Sequence, residues 1–226
     1  MSAVLDRLRR NLVVSCQPVP QGPLDRPEIV AAFALAALDG GAAGLRIEGV
    51  ANLEAVRKVT DVPVIGLIKV DRTDTPIRIS PLTDHVRALI GAGADIVAVD
   101  ATGRVRPEPL ADLLAAIHAG GALAMADCAT IPDARIARDL GFDILGSTMS
   151  GYTGGPVPHA PDLALLRDLA GLGRFVIAEG RYHTPAQAAE AIRAGADAVV
   201  VGSAITRPEH VTTWFADAIR SAGAAP

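Results

Sequence analysis

The sequence predicts an α/β fold, a single-domain (β/α)8 barrel of the TIM-barrel class, on two observations. First, eight short apolar runs rich in Val, Ile, Leu and Ala recur along the chain without polar alternation, which is typical of parallel strands buried on both faces. Second, nearly every run ends at a polar or ionisable residue, where such barrels carry their functional groups. The predicted strands cover residues 12–16, 43–47, 62–68, 95–99, 123–126, 142–146, 175–178 and 198–201. The polar residues at their ends are Gln17, Arg46, Lys69, Asp100, Asp127, Thr148, Glu179 and Ser203.

The segments between these runs have helical composition, and capping residues mark several helix starts. Asn52 is predicted to cap the helix after the second strand, and Pro208 is predicted to open the last helix. Thr184 with Pro185 at the first helical position indicates another start. A glycine also returns about every 50 residues before an even-numbered strand, a weak internal repeat of two β/α units. These glycines are Gly41, Gly93, Gly141 and Gly195.

Residues 1–10 are predicted to form a short amphipathic helix that covers the floor of the barrel. Val4, Leu5 and Leu8 would lie on its apolar side. With 226 residues the chain is compact for a barrel but long enough for a sizeable core, so we expect one domain, 1–226.

Composition narrows the classes of function. Half of the residues are hydrophobic and the formal net charge is −4, which argues against nucleic acid as the main partner. No apolar run is long enough to cross a bilayer, and the charged N-terminal segment does not resemble a secretory signal, so we expect no membrane partner and a cytoplasmic protein. Cys16 and Cys128 fall in or beside buried strands, where free thiols are expected rather than a disulfide.

The segments after the last two strands predict a phosphate site. Such barrels often bind phosphate there through backbone N–H groups at the start of a short helix. Gly180 and Gly202 let the backbone approach an anion, Ser203 adds a hydroxyl, and Arg181 and Arg207 add charge and planar donors. The alternative is that the glycines only turn the chain and the arginines are solvated. The site predicts a small phosphorylated ligand.

Lys69 is the candidate reacting group, because it closes an apolar strand where an unused lysine would be costly. Desolvation lowers the pKa of an ammonium, which makes a general base or a Schiff-base nucleophile available. The alternative is a structural ion pair with Asp71 or Asp100. Glu179 and Asp127 would lean over the same mouth and offer acid and base. The alternative for both carboxylates is that they cap a helix or support a neighbouring site residue. The sequence favours this alternative more for Asp127 than for Glu179.

Gln17 and Arg46 complete the rim and can donate to sugar hydroxyls or a phosphate. Arg46 lies in an apolar stretch and therefore needs a partner, for which Glu48 on the same strand face is the structural candidate. For Asp100 and Arg104, ordering of a loop and contact with substrate are equally compatible with the sequence.

The loop 147–161 is long and rich in Gly, Ser and Pro, and it follows the sixth strand on the catalytic face. It is predicted to be a lid, with Tyr152 stacking on or bonding to a sugar; a mobile excursion without function is the alternative. The five histidines show no metal-ligand spacing, so we expect no metal site. No dinucleotide or ATP fingerprint is present either, and we expect no cofactor.

Taken in order, eight segments resemble the N-acetylmannosamine-6-phosphate 2-epimerases of bacterial sialic acid catabolism nearly from end to end. The matching strings are VSCQ at 14–17, GLRIEGV at 44–50, IGLIK at 65–69, VDAT at 99–102, MADC at 125–128, SGYT at 150–153, EGRY at 179–182 and VVVGSAITRP at 199–208. The chain departs from the family pattern at Val70, Arg72 and His183, which affects fine substrate contacts more than the reaction.

The resemblance implies a barrel that interconverts N-acetylmannosamine 6-phosphate and N-acetylglucosamine 6-phosphate at carbon 2 without metal or redox cofactor. By similarity, Lys69 carries the proton and Glu179 is its acid/base partner. The residues implied to hold the sugar are Gln17, Arg46, Asp127 and Arg181, and those implied to hold the phosphate are Gly202, Ser203 and Arg207. A Schiff-base aldolase or thiazole-synthase-like enzyme and a non-catalytic phosphosugar sensor remain alternatives. A homodimer is the default assembly, with Trp214 and Phe215 as either core or interface.

Overall fold

The computed structural model describes residues 2–223, which form eight parallel strands that close into a barrel in the order β1 to β8. The predicted (β/α)8 fold is confirmed. The strands are β1 Leu12–Cys16, β2 Gly44–Glu48, β3 Val64–Leu67, β4 Ile96–Asp100, β5 Leu123–Asp127, β6 Ile144–Gly146, β7 Phe175–Glu179 and β8 Ala198–Val201. The helices are α1 Ala3–Leu8, α2 Pro27–Asp39, α3 Val50–Arg57, α4 Thr83–Gly91, α5 Leu110–Ala119, α6 Ile131–Leu140, α7 Leu163–Ala170, α8 Pro185–Arg193, α9 Ser203–Thr206 and α10 Pro208–Gly223.

Alternate residues of each strand divide the core into two clusters. One cluster fills the barrel, and the other lies between the strands and the outer helices. Helix α1 belongs to the inner cluster, because Leu8 is fully buried there and Val4 and Leu5 pack against it. The prediction that an N-terminal helix covers the barrel floor is therefore confirmed.

Most of the predicted helix signals are confirmed. Thr184 forms a capping box with Gln187, Pro208 is the first residue of α10, and the four recurring glycines all have positive φ angles. The prediction that Asn52 caps a helix was wrong. Helix α3 begins two residues earlier, after Gly49 with φ of 87°, and the Asn52 side-chain amide donates to the Glu48 carbonyl from inside the helix.

Helix α10 differs from the other long helices because no residue in it is buried. It packs mainly against the short helix α9 rather than against α2 or α8. Trp214, Phe215 and Ile219 are exposed on its surface. Of the two interpretations for this apolar stretch, core packing within the chain is wrong.

Candidate active site

A cavity of about 430 Å³ opens at the carboxyl ends of the strands. It is bordered by all of the predicted site residues except Arg46 and Asp127, which are buried beneath it. The predicted residues on its wall are Gln17, Lys69, Tyr152, Glu179, Gly180, Arg181, Gly202, Ser203 and Arg207. The barrel therefore brings together side chains that lie up to 190 residues apart in the sequence.

Lys69 reaches the cavity from just beyond β3, which ends at Leu67 rather than at Ile68 as predicted. Its backbone pairs with Ile79 in an antiparallel bridge, and its N–H donates to Glu48 Oε1 at 3.2 Å. The side-chain Nζ donates to Gln17 Oε1 at 2.6 Å. Gln17 is fixed in turn, because its amide donates to Ser15 Oγ at 2.7 Å.

The predicted alternative of a structural ion pair at Lys69 was wrong. Asp71 pairs with Arg78 at 2.5 Å, and Asp100 pairs with Arg104 at 2.6 Å. The Arg104 Nε also donates to Thr102 Oγ1, so this group orders the loop after β4 while Arg104 borders the cavity. Lys69 therefore meets an amide oxygen rather than a carboxylate.

Beneath the cavity, Arg46 forms a buried ion-pair network with two carboxylates. Its Nη2 lies 2.6 Å from Asp127 Oδ2, and its Nη1 lies 3.0 Å from Glu179 Oε2. The Arg46 side chain is only 1% exposed, so the network is shielded from solvent. The prediction that Arg46 pairs with Glu48 was wrong. Closure of the barrel instead gives Arg46 two carboxylate partners, one from β5 and one from β7. The predicted contacts of Arg46 and Asp127 with a sugar stay predictions.

Thr148 links the two carboxylates from the cavity side. Its hydroxyl lies 2.7 Å from Asp127 Oδ1 and 3.4 Å from Glu179 Oε2. Gly146 leaves the room for this arrangement, since a Cβ there would meet Met125 Cε at 2.6 Å and Asp127 Oδ1 at 3.3 Å. The small residue at the end of β6 is thus required by the network beside it.

The environment moves the pKa values of Lys69 and Glu179 toward each other. Desolvation is the main cause at both groups. It lowers the pKa of Lys69 to about 8, helped by the charges of Arg46 and Arg207 and opposed by Glu179. It raises the pKa of Glu179 to about 7, against the lowering effect of Arg46. Such a pair can exchange protons near neutral pH in either direction.

The segment predicted to hold a phosphate lies against the end of β1. Gly202 precedes α9, and a Cβ on it would meet the Ser15 side chain at 3.3 Å. Arg207 is anchored because its Nε donates to the Gln17 carbonyl at 2.7 Å, while its guanidinium borders the cavity. Ser203 stands between them at the start of α9. Binding of a phosphate there stays a prediction.

Arg181 and Tyr152 join the cavity to the loop 147–161. The Arg181 guanidinium donates to the carbonyls of Ser150 and Ala160 and lies 5.4 Å from the centre of the Tyr152 ring. Both Gly180 and Arg181 have positive φ angles, 111° and 63°. Contact of Arg181 with a sugar, predicted from the sequence, stays a prediction.

The cavity wall also contains residues that were given no role from the sequence. Examples are Ser15, Arg78, Tyr182 and His183. Their common signal is position, since all but Arg78 lie within a few residues of a strand end. Arg78 has no such signal, because the antiparallel bridge between Lys69 and Ile79 brings it to the site.

Other findings concern metals, thiols and membranes. Among residues 2–223, no three His, Cys, Asp or Glu side chains are grouped so that they could hold a metal ion. Cys16 and Cys128 are free and buried, and burial raises the pKa of Cys16 to about 12. None of the helices in the described part of the chain has the length and apolar character to span a bilayer.

Fold and site together define the class as a (β/α)8-barrel enzyme for acid–base chemistry. The chain belongs to the NanE family, described as "Putative N-acetylmannosamine-6-phosphate epimerase", whose model matches residues 30–221. The resemblance drawn from the sequence motifs is therefore confirmed.

Individual relatives agree with this membership. The chain is 56% identical to a "Putative N-acetylmannosamine-6-phosphate 2-epimerase" of Actinobacillus pleuropneumoniae serotype 5b, over 98% of this chain and 96% of the relative. It is 59% identical to a "Bifunctional enzyme NanE/NanK" of Brucella melitensis, over 97% of this chain and 42% of the relative. The solved structure of the N-acetylmannosamine-6-phosphate 2-epimerase from Clostridium perfringens has a TM-score of 0.93 and 40% identity, with 96% of each chain covered.

Proposed function

We propose that this protein is an isomerase that interconverts N-acetylmannosamine 6-phosphate and N-acetylglucosamine 6-phosphate in the catabolism of amino sugars and sialic acid. The observation that carries the proposal is one cavity bordered by both Lys69 and Glu179, with pKa values of about 8 and about 7, and by the anchored Arg181 and Arg207. Membership of the family and the names of its relatives supply the identity of the substrate.

The reaction begins when the sugar opens to its aldehyde, which places the C2–H bond next to a carbonyl. The neutral amine of Lys69 removes the C2 proton, the electron pair forms a C1–C2 double bond, and O1 becomes an enolate oxygen. The protonated carboxyl of Glu179 then gives a proton to the opposite face of C2. In the reverse direction, the Glu179 carboxylate takes the proton and the Lys69 ammonium returns one.

The remaining site residues hold the substrate or the catalytic pair in place. Gln17 orients the Lys69 amine through its 2.6 Å hydrogen bond and faces the sugar. Arg46 and Asp127 orient Glu179 from below and complete the polar surface under the sugar. The phosphate is held by backbone N–H groups at the glycines, a hydroxyl and an anchored guanidinium. The phosphate-binding residues are Gly180, Gly202, Ser203 and Arg207.

Proton NMR in deuterated water tests the reaction. With N-acetylmannosamine 6-phosphate as substrate, we expect the epimer to appear with deuterium at C2, because the proton returned comes from exchangeable sites. Lys69→Ala is expected to abolish turnover without loss of the fold, since a general base contributes about 10²-fold to 10⁴-fold. Lys58→Ala, at a surface helix end, is the matched control. Epimer without deuterium, or full activity of Lys69→Ala, would refute the proposed role.

A Schiff-base mechanism at Lys69 is the competing chemistry. It would need the amine to form a carbon–nitrogen bond with the sugar aldehyde, and borohydride would then reduce the imine to a stable secondary amine. We expect no gain in mass on Lys69 when borohydride is added during turnover. A covalent sugar phosphate on Lys69 would replace the proton-transfer mechanism.

We also propose that the enzyme works in the cytoplasm as a homodimer. The two free, buried thiols suit a reducing compartment.

The support for the dimer is a pair of uncovered apolar faces. Helix α2 is apolar around its whole circumference, as is typical of a helix buried on all sides, but Leu35 is 41% exposed. Helix α10 has no buried residue, and Phe215 is 68% exposed. A second copy of the chain covers both faces, and sedimentation equilibrium should give twice the chain mass of 23.2 kDa.

A further inference from the structure

We propose that Arg181 is a positioning residue for the reaction: it fastens the two ends of the loop after β6 and so holds Tyr152 against the substrate cavity. This inference rests on the proposed function, because it assigns a role in binding the same substrate. It differs from the prediction that Arg181 itself contacts the sugar. The contacts of the guanidinium point to the loop instead.

The two ends of this loop are tied together at a neck, which Arg181 bridges. Its Nε donates to the carbonyl of Ala160 at 2.7 Å, and its Nη1 donates to the carbonyl of Ser150. A second tie lies beside it, because the Ser150 hydroxyl donates to Asp162 Oδ2 at 2.7 Å. Asp162 also caps α7, so the neck is anchored to a helix of the barrel. A planar guanidinium suits this task, since it presents several donors in a fixed geometry.

Beyond the neck, the loop has little else to fix its position. Residues 153–160 are all exposed to solvent. Tyr152, directly before these residues, borders the cavity and is 47% exposed. The ring lies near Arg181 on one side and near Gly180 on another, where a Cβ would come within 4.0 Å of it. The neck and these two contacts therefore set where the ring stands over the cavity.

The backbone of Arg181 indicates that its conformation is imposed by these contacts. A φ of 63° is uncommon for a residue with a Cβ, and it persists only where the surroundings determine it. Arg181 follows Glu179 by two residues, with Gly180 at φ 111° between them. The turn therefore directs the Glu179 side chain to the cavity and the Arg181 side chain to the loop. The position of the loop and the placement of the Glu179 carboxylate are thus connected through three consecutive residues.

The first test compares Arg181→Lys with Arg193→Lys, a matched change at an exposed position on α8. We expect Arg181→Lys to increase hydrogen exchange of the Ser150 and Tyr152 amides at least about tenfold, because these N–H groups donate to the Ser147 and Met149 carbonyls at the neck and a lysine lacks the planar fork that holds the neck together. We expect a KM increase of about tenfold and a kcat change below about threefold. Unchanged exchange in the loop would overturn the inference, whatever the kinetics.

The second test separates a loop effect from direct contact of Arg181 with the sugar. If Arg181 acts through the ring, Tyr152→Ala raises KM to a similar extent, and the double variant Arg181→Lys/Tyr152→Ala is no worse than either single variant. If the KM increase of the double variant equals the product of the two single increases, Arg181 contacts the substrate independently of Tyr152. Since Tyr152 is at an exposed position, this variant keeps the test open should Arg181→Lys fail to fold. Hydrogen exchange needs no substrate, so absence of epimerase activity in the wild type would refute the proposed function without deciding the loop inference.

Discussion

Replacement of Glu179 by Gln should remove the alkaline decline from the pH profile that the proposed catalytic pair, Lys69 and Glu179, predicts for the wild-type enzyme. The two reaction directions need opposite proton arrangements on Lys69 and Glu179, but each arrangement carries one proton in total. The apparent pKa values therefore belong to the pair, and the same bell-shaped profile of kcat/KM is expected in both directions.

The magnitude follows from the two pKa values. With about 7 for Glu179 and about 8 for Lys69, the singly protonated pair is most populated near pH 7.5. By pH 9 its population is about sevenfold lower, because the second proton has been lost. A similar decline is expected toward pH 6, made steeper by the substrate phosphate, which titrates near pH 6.

Glutamine keeps the shape of Glu179 but neither donates a proton nor carries charge. We expect kcat to fall by about 10²-fold to 10⁴-fold. The decline above pH 8 should vanish in the residual activity, because only the neutral Lys69 amine is then required. The rise on the acid side should then follow the Lys69 amine alone, whose pKa falls below about 8 because the negative charge of Glu179 no longer raises it. The assay is the initial rate of epimer formation in both directions between pH 6 and pH 9.

Glu190→Gln on α8 is the matched control, because that side chain is exposed and away from the cavity. It should leave the rate and the bell-shaped profile unchanged. If Glu179→Gln retained kcat within about tenfold, Lys69 alone would serve both faces of C2, and the two-group reasoning would be refuted. A profile that differs between the two directions would equally refute the shared-proton argument.

Three further outcomes are expected. Arg46→Met leaves the buried carboxylates of Asp127 and Glu179 without their cation and should lower the free energy of unfolding by about 3–5 kcal/mol, measured by urea denaturation; an unchanged midpoint would mean that the network does not stabilise the fold. Arg207→Lys loses the planar fork and should raise KM roughly tenfold with little change in kcat; a loss confined to kcat would contradict a binding role. Phe215→Glu should convert the proposed dimer into a monomer in sedimentation equilibrium, and a dimer unaffected by this change would exclude α10 from the interface.

The barrel was predictable because burial on both faces leaves uninterrupted apolar runs, which a single sequence displays directly. The ends of β3 were less predictable. The run at 62–68 continues past the hydrogen-bonded strand Val64–Leu67, because Ile68 and Lys69 pair with the segment around Ile79 instead. The prediction for Asn52 failed because α3 begins at the backbone turn of Gly49, where no side chain caps the helix.

The site residues were predictable as a set, but their partners were not. Strand ends mark which residues reach the mouth, whereas partners depend on how the closed barrel orients each side chain. Arg46 meets Asp127 from a strand 81 residues away, and no local spacing encodes this pair. For the same reason, the sequence marked Arg181 as a cation near a phosphate site, but not as a donor to Ser150 and Ala160.

The geometry connects the apolar surface of α10 to the catalytic cavity at two points. Arg207 borders the cavity and immediately precedes Pro208, the first residue of α10. His183 also borders the cavity, and its ring lies 4.5 Å from the ring of Trp214 on α10. Because both features depend on where α10 lies, covering of this helix by the second copy of the proposed dimer is expected to fix one wall of the cavity. The monomer produced by Phe215→Glu should therefore show a higher KM than the wild type. Raising the concentration of the variant in the assay should not lower this KM.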